Sequence, residues 1–112
     1  VELIPELAAQ ATLTLSTLGC NNVTVHVGDG SLGWLEGAPY DAILVTASAP
    51  SLPRPLLDQL TSERRLVLPV GMRGTQYLEL WTREFGAWQP ESILPVAFVP
   101  LRGEHGWKAD ED

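Results

Sequence analysis

Three features of this 112-residue sequence predict an α/β fold, mostly a parallel sheet, ending in an antiparallel meander. A helical apolar stripe precedes a short alternating strand near the amino end. The continuous apolar run Ala42-Ile43-Leu44-Val45 reads as a central parallel strand covered on both faces. Beyond it, glycine-punctuated strands follow one another directly, as at an antiparallel edge.

Ile4, Leu7, Ala8, Ala11, Leu15 and Leu18 recur at helical spacing, so a helix is expected from about Ile4 to Leu18. Pro5 suits its first turn, where no N–H is needed, and Gly19 suits a left-handed stop. Val23, Val25 and Val27 alternate with Thr24 and His26, as a half-buried strand does, and Gly28-Asp29-Gly30 then turns the chain. After Val45, Pro50, Pro53 and Pro55 punctuate the chain, and Pro55 to Leu60 reads as a short helix. Leu66 to Val70 is the next strand, Gly71 to Gly74 a turn, and Tyr77 to Trp81 the returning strand. Gly86 marks a second hairpin and Val96 to Leu101 a last strand.

This length holds one domain at most, and its hydrophobic content of 45% is ordinary for a globular core. Seven Lys and Arg stand against 14 Asp and Glu, a net charge of −7, which argues against nucleic-acid and anionic-membrane partners. Asp110-Glu111-Asp112 reads as a solvated tail. Cys20 is the only cysteine, which excludes an internal disulfide and a cysteine zinc site and fits a reducing cytoplasm. No apolar run approaches the ~20 residues of a membrane span. The chain opens on Val1-Glu2 rather than Met, so an upstream segment is expected.

Few residues are candidates for chemistry. Glu2 stands directly before the first helix. A carboxylate at that point of a doubly wound fold accepts hydrogen bonds from ribose hydroxyls, and a charge at a helix start is the plainer alternative. Gly28-Asp29-Gly30 lets backbone approach a flat base while Asp29 accepts from its amine, although Asp-Gly is also a common turn pair. Thr46-Ala47-Ser48-Ala49-Pro50 closes the apolar run, where small residues leave room for a ligand or for close helix packing. Ser48 has no base in reach, because His26 is expected to point elsewhere and His105 to lie in the tail. Trp34, Trp81, Trp88 and Trp107, with Tyr40 and Phe98, read as packing rather than base-stacking residues.

Together these segments resemble the protein-L-isoaspartate O-methyltransferases. The likeness runs through Val1-Glu2, Val27-Gly28-Asp29-Gly30, Leu32-Gly33-Trp34, Ala38-Pro39-Tyr40-Asp41-Ala42-Ile43 and Thr46-Ala47-Ser48-Ala49-Pro50. It continues in Arg65-Leu66-Val67-Leu68-Pro69-Val70-Gly71 and Phe98-Val99-Pro100-Leu101. The resemblance implies a truncated, Rossmann-like, S-adenosylmethionine-dependent methyltransferase fold, with residues 1–112 the carboxyl-terminal part of its single domain. It implies that Glu2 holds the cofactor ribose, Asp29 and Gly30 meet its adenine, and Arg102 makes a further contact. Thr46 and Ala47 would line the junction with substrate, and backbone at Val99 would pair with an isoaspartyl peptide.

The implied reaction methylates isoaspartyl carboxylates of damaged proteins, whose esters then close to succinimides and reopen partly to normal aspartate. The sequence departs from the family where Thr61-Ser62-Glu63-Arg64 replaces a Lys-Pro-Gly-Gly turn and Ala97 an Arg frequent in bacterial members. The family's glycine-rich loop and the segment bearing its active-site Ser have no counterpart, so no catalytic residue is expected within this chain. An isolated chain is expected to be inactive and to self-associate. A non-catalytic module that recognises isoaspartyl peptides is the competing reading. A dehydrogenase fragment fits the Phe98-Val99-Pro100-Leu101 ending poorly.

Overall fold

The computed structural model describes residues 1–108, the side chains of Ser62 and Glu63 excepted, so the acidic tail lies outside the described residues. Helix α1 (Pro5–Thr17) begins on the expected proline and stops before Gly19. Strand β1 (Tyr40–Leu44), helix α2 (Arg54–Asp58) and strands β2 (Leu60–Met72), β3 (Thr75–Glu84) and β4 (Ala87–Val96) follow. The strands form one mixed sheet in the order β1-β2-β3-β4, parallel between β1 and β2 and antiparallel thereafter. Phe85 and Gly86 both take positive φ, 51° and 79°, which gives a tight β3–β4 hairpin the twist it needs.

The core lies on one face of β2. Leu66 and Leu68 point there with no exposed surface and pack with Ala49, Leu56, Leu57 and Leu60. Trp81 and Trp88 pack against the same cluster, as expected of them, whereas Phe98 is 38% exposed.

Several expectations are corrected. Val23 to Val27 forms no strand beyond a single parallel bridge between Val27 and Glu2. Alternation selects a face, but a ladder also needs a neighbour, and only Glu2 lies alongside. Ala42 to Val45 is not covered on both faces, since Leu44 is 69% exposed, while its open edge is what a chain lacking the neighbouring strand is expected to leave. The short helix sits at Arg54–Asp58 because Leu60 is drawn into β2 opposite Tyr40. The backbone of 61–64 belongs to β2, and the register jumps across it from Tyr40↔Leu60 to Ala42↔Arg65. The last strand ends at Val96 rather than starting there. Pro90 and Pro95 hide it from pattern reading, and an edge strand accommodates them because it lacks a partner on one side.

Two apolar surfaces are left bare. Ala42, Leu44, Val67, Leu78, Leu80 and Ile93 line a groove on the sheet face opposite the core. Along α1 only Ala8 is buried, and Leu7 is 46% exposed. A free, apolar parallel edge recruits other chains. The 112-residue chain is therefore expected to self-associate, and Leu44→Lys, which places a charge on that edge, to shift it toward monomer. Light scattering over a concentration series measures this, and a wild-type monomer throughout would contradict it.

Candidate functional site

The chain leaves β1 and continues its pairing at Val45, whose N–H donates to the Val67 carbonyl at 2.9 Å. Alternate residues then bond to opposite neighbours. Ala49 pairs with β2, donating to the Pro69 carbonyl at 3.0 Å and accepting from Gly71 N–H at 3.0 Å. Ser48 pairs the other way, donating to the Val99 carbonyl at 2.7 Å and accepting from Leu101 N–H at 2.8 Å. This buried dipeptide brings residues 99–101 beside the end of β1, although they lie outside the sheet ladder. The Ser48 hydroxyl also faces the Val99 carbonyl, at 3.4 Å, so it is a structural group.

The opposite wall comes from the amino end. Glu2 donates its N–H to the His26 carbonyl at 2.8 Å and accepts from Gly28 N–H at 2.9 Å. Its carboxylate oxygen Oε2 accepts the Leu3 N–H at 2.9 Å. His26 turns toward Trp34 and not toward Ser48, as expected. Its ring stacks on Trp34 with centroids 4.0 Å apart and planes 16° apart, and both residues line the cavity.

Between these walls lies a cavity of about 790 Å³. Six residues singled out from sequence line it: Glu2, Gly30, Thr46, Ala47, Val99 and Arg102. Ala42, Ile43, Leu44 and Val45 line it too, so its volume includes the open space beside the free edge of β1. Gly30 is not demanded by the fold, since a Cβ there would meet nothing nearer than the Val1 carbonyl oxygen at 3.7 Å. Arg102 is tied by its guanidinium to the Lys108 carbonyl.

Asp29 is set differently and does not line the cavity. It caps a 3-10 turn at Gly30–Leu32, accepting the Ser31 N–H at 2.9 Å and the Ser31 hydroxyl at 2.6 Å on Oδ1. Its Oδ2 accepts the Glu104 N–H at 2.8 Å, and the Ser31 hydroxyl oxygen accepts the His105 N–H at 3.0 Å. The turn and the 103–105 segment are thus clipped together. Burial alone pushes the Asp29 pKa up, but the Ser31 hydroxyl, the Glu104 and Ser31 N–H groups and nearby His105 outweigh it and hold it low.

Sequence reasoning missed this clip and two buried side chains. Gln59 accepts the Trp34 N–H at 3.0 Å and donates to the Leu32 carbonyl at 2.8 Å. Gln76 accepts the Phe98 N–H at 2.7 Å. The only sequence signal for Gln59 is one amide inside the apolar stretch Leu56-Leu57-Asp58-Gln59-Leu60.

Comparison with known proteins places these features in context. The family model described as protein-L-isoaspartate(D-aspartate) O-methyltransferase matches residues 1–106. Protein-L-isoaspartate O-methyltransferase 2 of Nitrosococcus oceani is 50% identical over 106 residues, which cover 94% of this chain and 48% of that protein. The Roseiflexus castenholzii protein-L-isoaspartate O-methyltransferase is 48% identical over 110 residues, 98% of this chain and 50% of its own. The chain thus spans about half the length of the curated relatives it matches. A solved protein-L-isoaspartate O-methyltransferase superposes with a TM-score of 0.84 at 26% identity, over 94% of this chain and 34% of its own. A Plasmodium falciparum beta-aspartate methyltransferase, crystallised with S-adenosyl-L-homocysteine, superposes at 0.76 with 25% identity, over 90% of this chain and 50% of its own. No helix among the described residues is long and apolar enough to cross a membrane.

The clip has a defined pH dependence. A carboxyl whose pKa is lower folded than unfolded stabilises fully above its unfolded value, about 4, and loses that contribution as pH falls through the folded value. The Ser31 and Glu104 amide resonances, whose N–H groups bond the Asp29 carboxylate, are expected to hold steady from neutrality to about pH 4 and to move below it. In Asp29→Ala they should occupy the detached positions at every pH. Resonances in the variant that match wild type at neutral pH would remove the clip.

Proposed function

The chain belongs to the protein-L-isoaspartate(D-aspartate) O-methyltransferase family, and from that premise we propose that it is the carboxyl-terminal part, residues 1–112, of a single Rossmann-like methyltransferase domain. The bare groove across β1–β4, the free edge of β1 and the exposed apolar side of α1 support this, because a complete doubly wound sheet covers such surfaces. In this reading the glycine-rich loop and active-site Ser belong to the part of the family fold outside this chain.

The proposed ligand is S-adenosylmethionine, and the proposed substrates are isoaspartyl residues of damaged proteins and peptides. The observation that carries the reading is the convergence of Glu2, Gly30 and Arg102 with Thr46, Ala47 and Val99 on one cavity. Glu2 would hold the ribose hydroxyls, with one carboxylate oxygen already fixed by Leu3 N–H. Gly30 would let backbone lie against the adenine. Asp29 lies off this cavity and would act on the adenine only through the Gly30 turn that it caps. Arg102 would close the same end.

When bound, S-adenosylmethionine supplies an electrophilic methyl group on a sulfonium centre. This chain contributes orientation rather than proton transfer. A substrate carboxylate, with pKa about 4, is already ionised at neutral pH and needs no general base. Thr46 and Ala47 would shape the junction where it lies, and the exposed residue Val99, whose carbonyl is already held by Ser48, would align its peptide as an added strand. Water exclusion by the cavity walls would help the charged nucleophile. The free, exposed Cys20 is compatible with a reducing cytoplasmic setting.

Three measurements test this. S-adenosyl-L-homocysteine is expected to bind the chain, and Glu2→Ala to weaken binding by about 1–3 kcal/mol, the usual cost of losing a charged hydrogen-bond partner. Unchanged affinity in calorimetry would remove Glu2 from the site. Val99→Pro, which deletes an N–H, is expected to weaken an isoaspartyl peptide while sparing S-adenosyl-L-homocysteine. The chain alone is expected to transfer no methyl, and turnover would overturn its reading as part of a larger catalytic domain.

A further inference from the structure

Two buried glutamines hold backbone far from them in sequence. Gln59, 5% exposed, stands where α2 passes into β2, and its amide spans the Trp34 N–H and the Leu32 carbonyl. Gln76, 1% exposed on β3, takes the Phe98 N–H on Oε1 and donates from Nε2 to the Met72 carbonyl at 3.0 Å. A glutamine amide carries the donor and acceptor of a peptide group. Each side chain therefore acts as one added peptide link, tying a loop to the sheet without a further strand.

What each amide holds sets its consequence. Trp34 carries the indole that stacks on His26 in the cavity wall, and the Tyr40 hydroxyl donates to the Trp34 carbonyl. Gly33, at φ +71°, lies so close that a Cβ there would collide with the Gln59 amide. The 32–34 loop thus rests directly on that amide. On the other side, Phe98 immediately precedes Val99, whose carbonyl is engaged by Ser48. The two amides therefore fix opposite walls of one cavity. An apolar side chain of equal length would fill either space and leave a partly buried N–H without its acceptor.

We infer that Gln59 and Gln76 are positioning residues, Gln59 for the wall that meets the adenosine end of the cofactor and Gln76 for the backbone that meets the peptide substrate. The inference rests on the function proposed above. Gln59 also lines the cavity with part of its own side chain, whereas Gln76 does not, and each holds a cavity wall through the backbone that it bonds.

Gln59→Met and Gln76→Met keep the length of the side chain and remove both hydrogen bonds. The 112-residue chain and each variant would be compared by hydrogen exchange with mass spectrometry over residues 30–37, 97–101 and 66–70. Equilibrium dialysis would measure S-adenosyl-L-homocysteine and an isoaspartyl peptide. Gln59→Met is expected to speed exchange in 30–37 and weaken S-adenosyl-L-homocysteine by about tenfold, with peptide affinity held within about twofold. Gln76→Met is expected to do the reverse through 97–101. Exchange in 66–70 should stay unchanged in both, so each variant controls for misfolding of the other.

Equal losses of both ligands, or loosening of 66–70 along with the loops, would reduce the glutamines to core residues. A loosened loop with unchanged ligand affinity would equally overturn the positioning role. Wild-type chain that binds neither ligand would sink the functional reading instead, and the exchange pattern would then judge the two clamps by themselves.

Discussion

The structure is referred throughout to β2, which is paired in parallel with β1 on one side and antiparallel with β3 on the other. A strand fixed on both edges cannot slip, because a one-residue shift would turn Leu66 and Leu68 from the core to the opposite face. That register also sets where Ala49 docks against β2 and hence where Ser48 presents its peptide group to residues 99–101. One strand's alternation thus locates a cavity wall built from residues some thirty positions later.

Loops that enclose a cavity face a general difficulty, since their backbone polar groups have no ladder to join. Here three side chains answer it. Gln59 and Gln76 offer amides, and Asp29 offers a carboxylate that accepts the Glu104 N–H. Each lies on or beside regular structure and reaches across to irregular backbone. The cavity can then have walls of loop and still inherit the rigidity of the sheet.

Local signals in the sequence revealed much of this. Helix α1, the hairpin at Gly86 and the strand around Leu66 to Val70 follow from periodicity and turn chemistry, which depend on near neighbours. Pairing does not. Val23 to Val27 alternates as well as any strand here, yet has only Glu2 alongside. β4 carries Pro90 and Pro95, and the apolar run after it attracts the strand assignment instead. The cavity's lining residues were legible chiefly through family resemblance. The amide clamps were not, because a glutamine that reaches 25 residues back to Trp34 leaves no periodic trace.

The clip between Asp29 and Glu104 closes a span of 75 residues. Contacts of such separation form late, because the entropy of closing the loop must be met before the bond repays it. During synthesis the turn at Gly30 emerges long before the segment that fastens it, so it cannot be fastened until position 104 has left the ribosome. The sheet can assemble earlier from its neighbouring hairpins. The clip would then close after the core has formed, so the Gly30 turn is fixed later than the sheet.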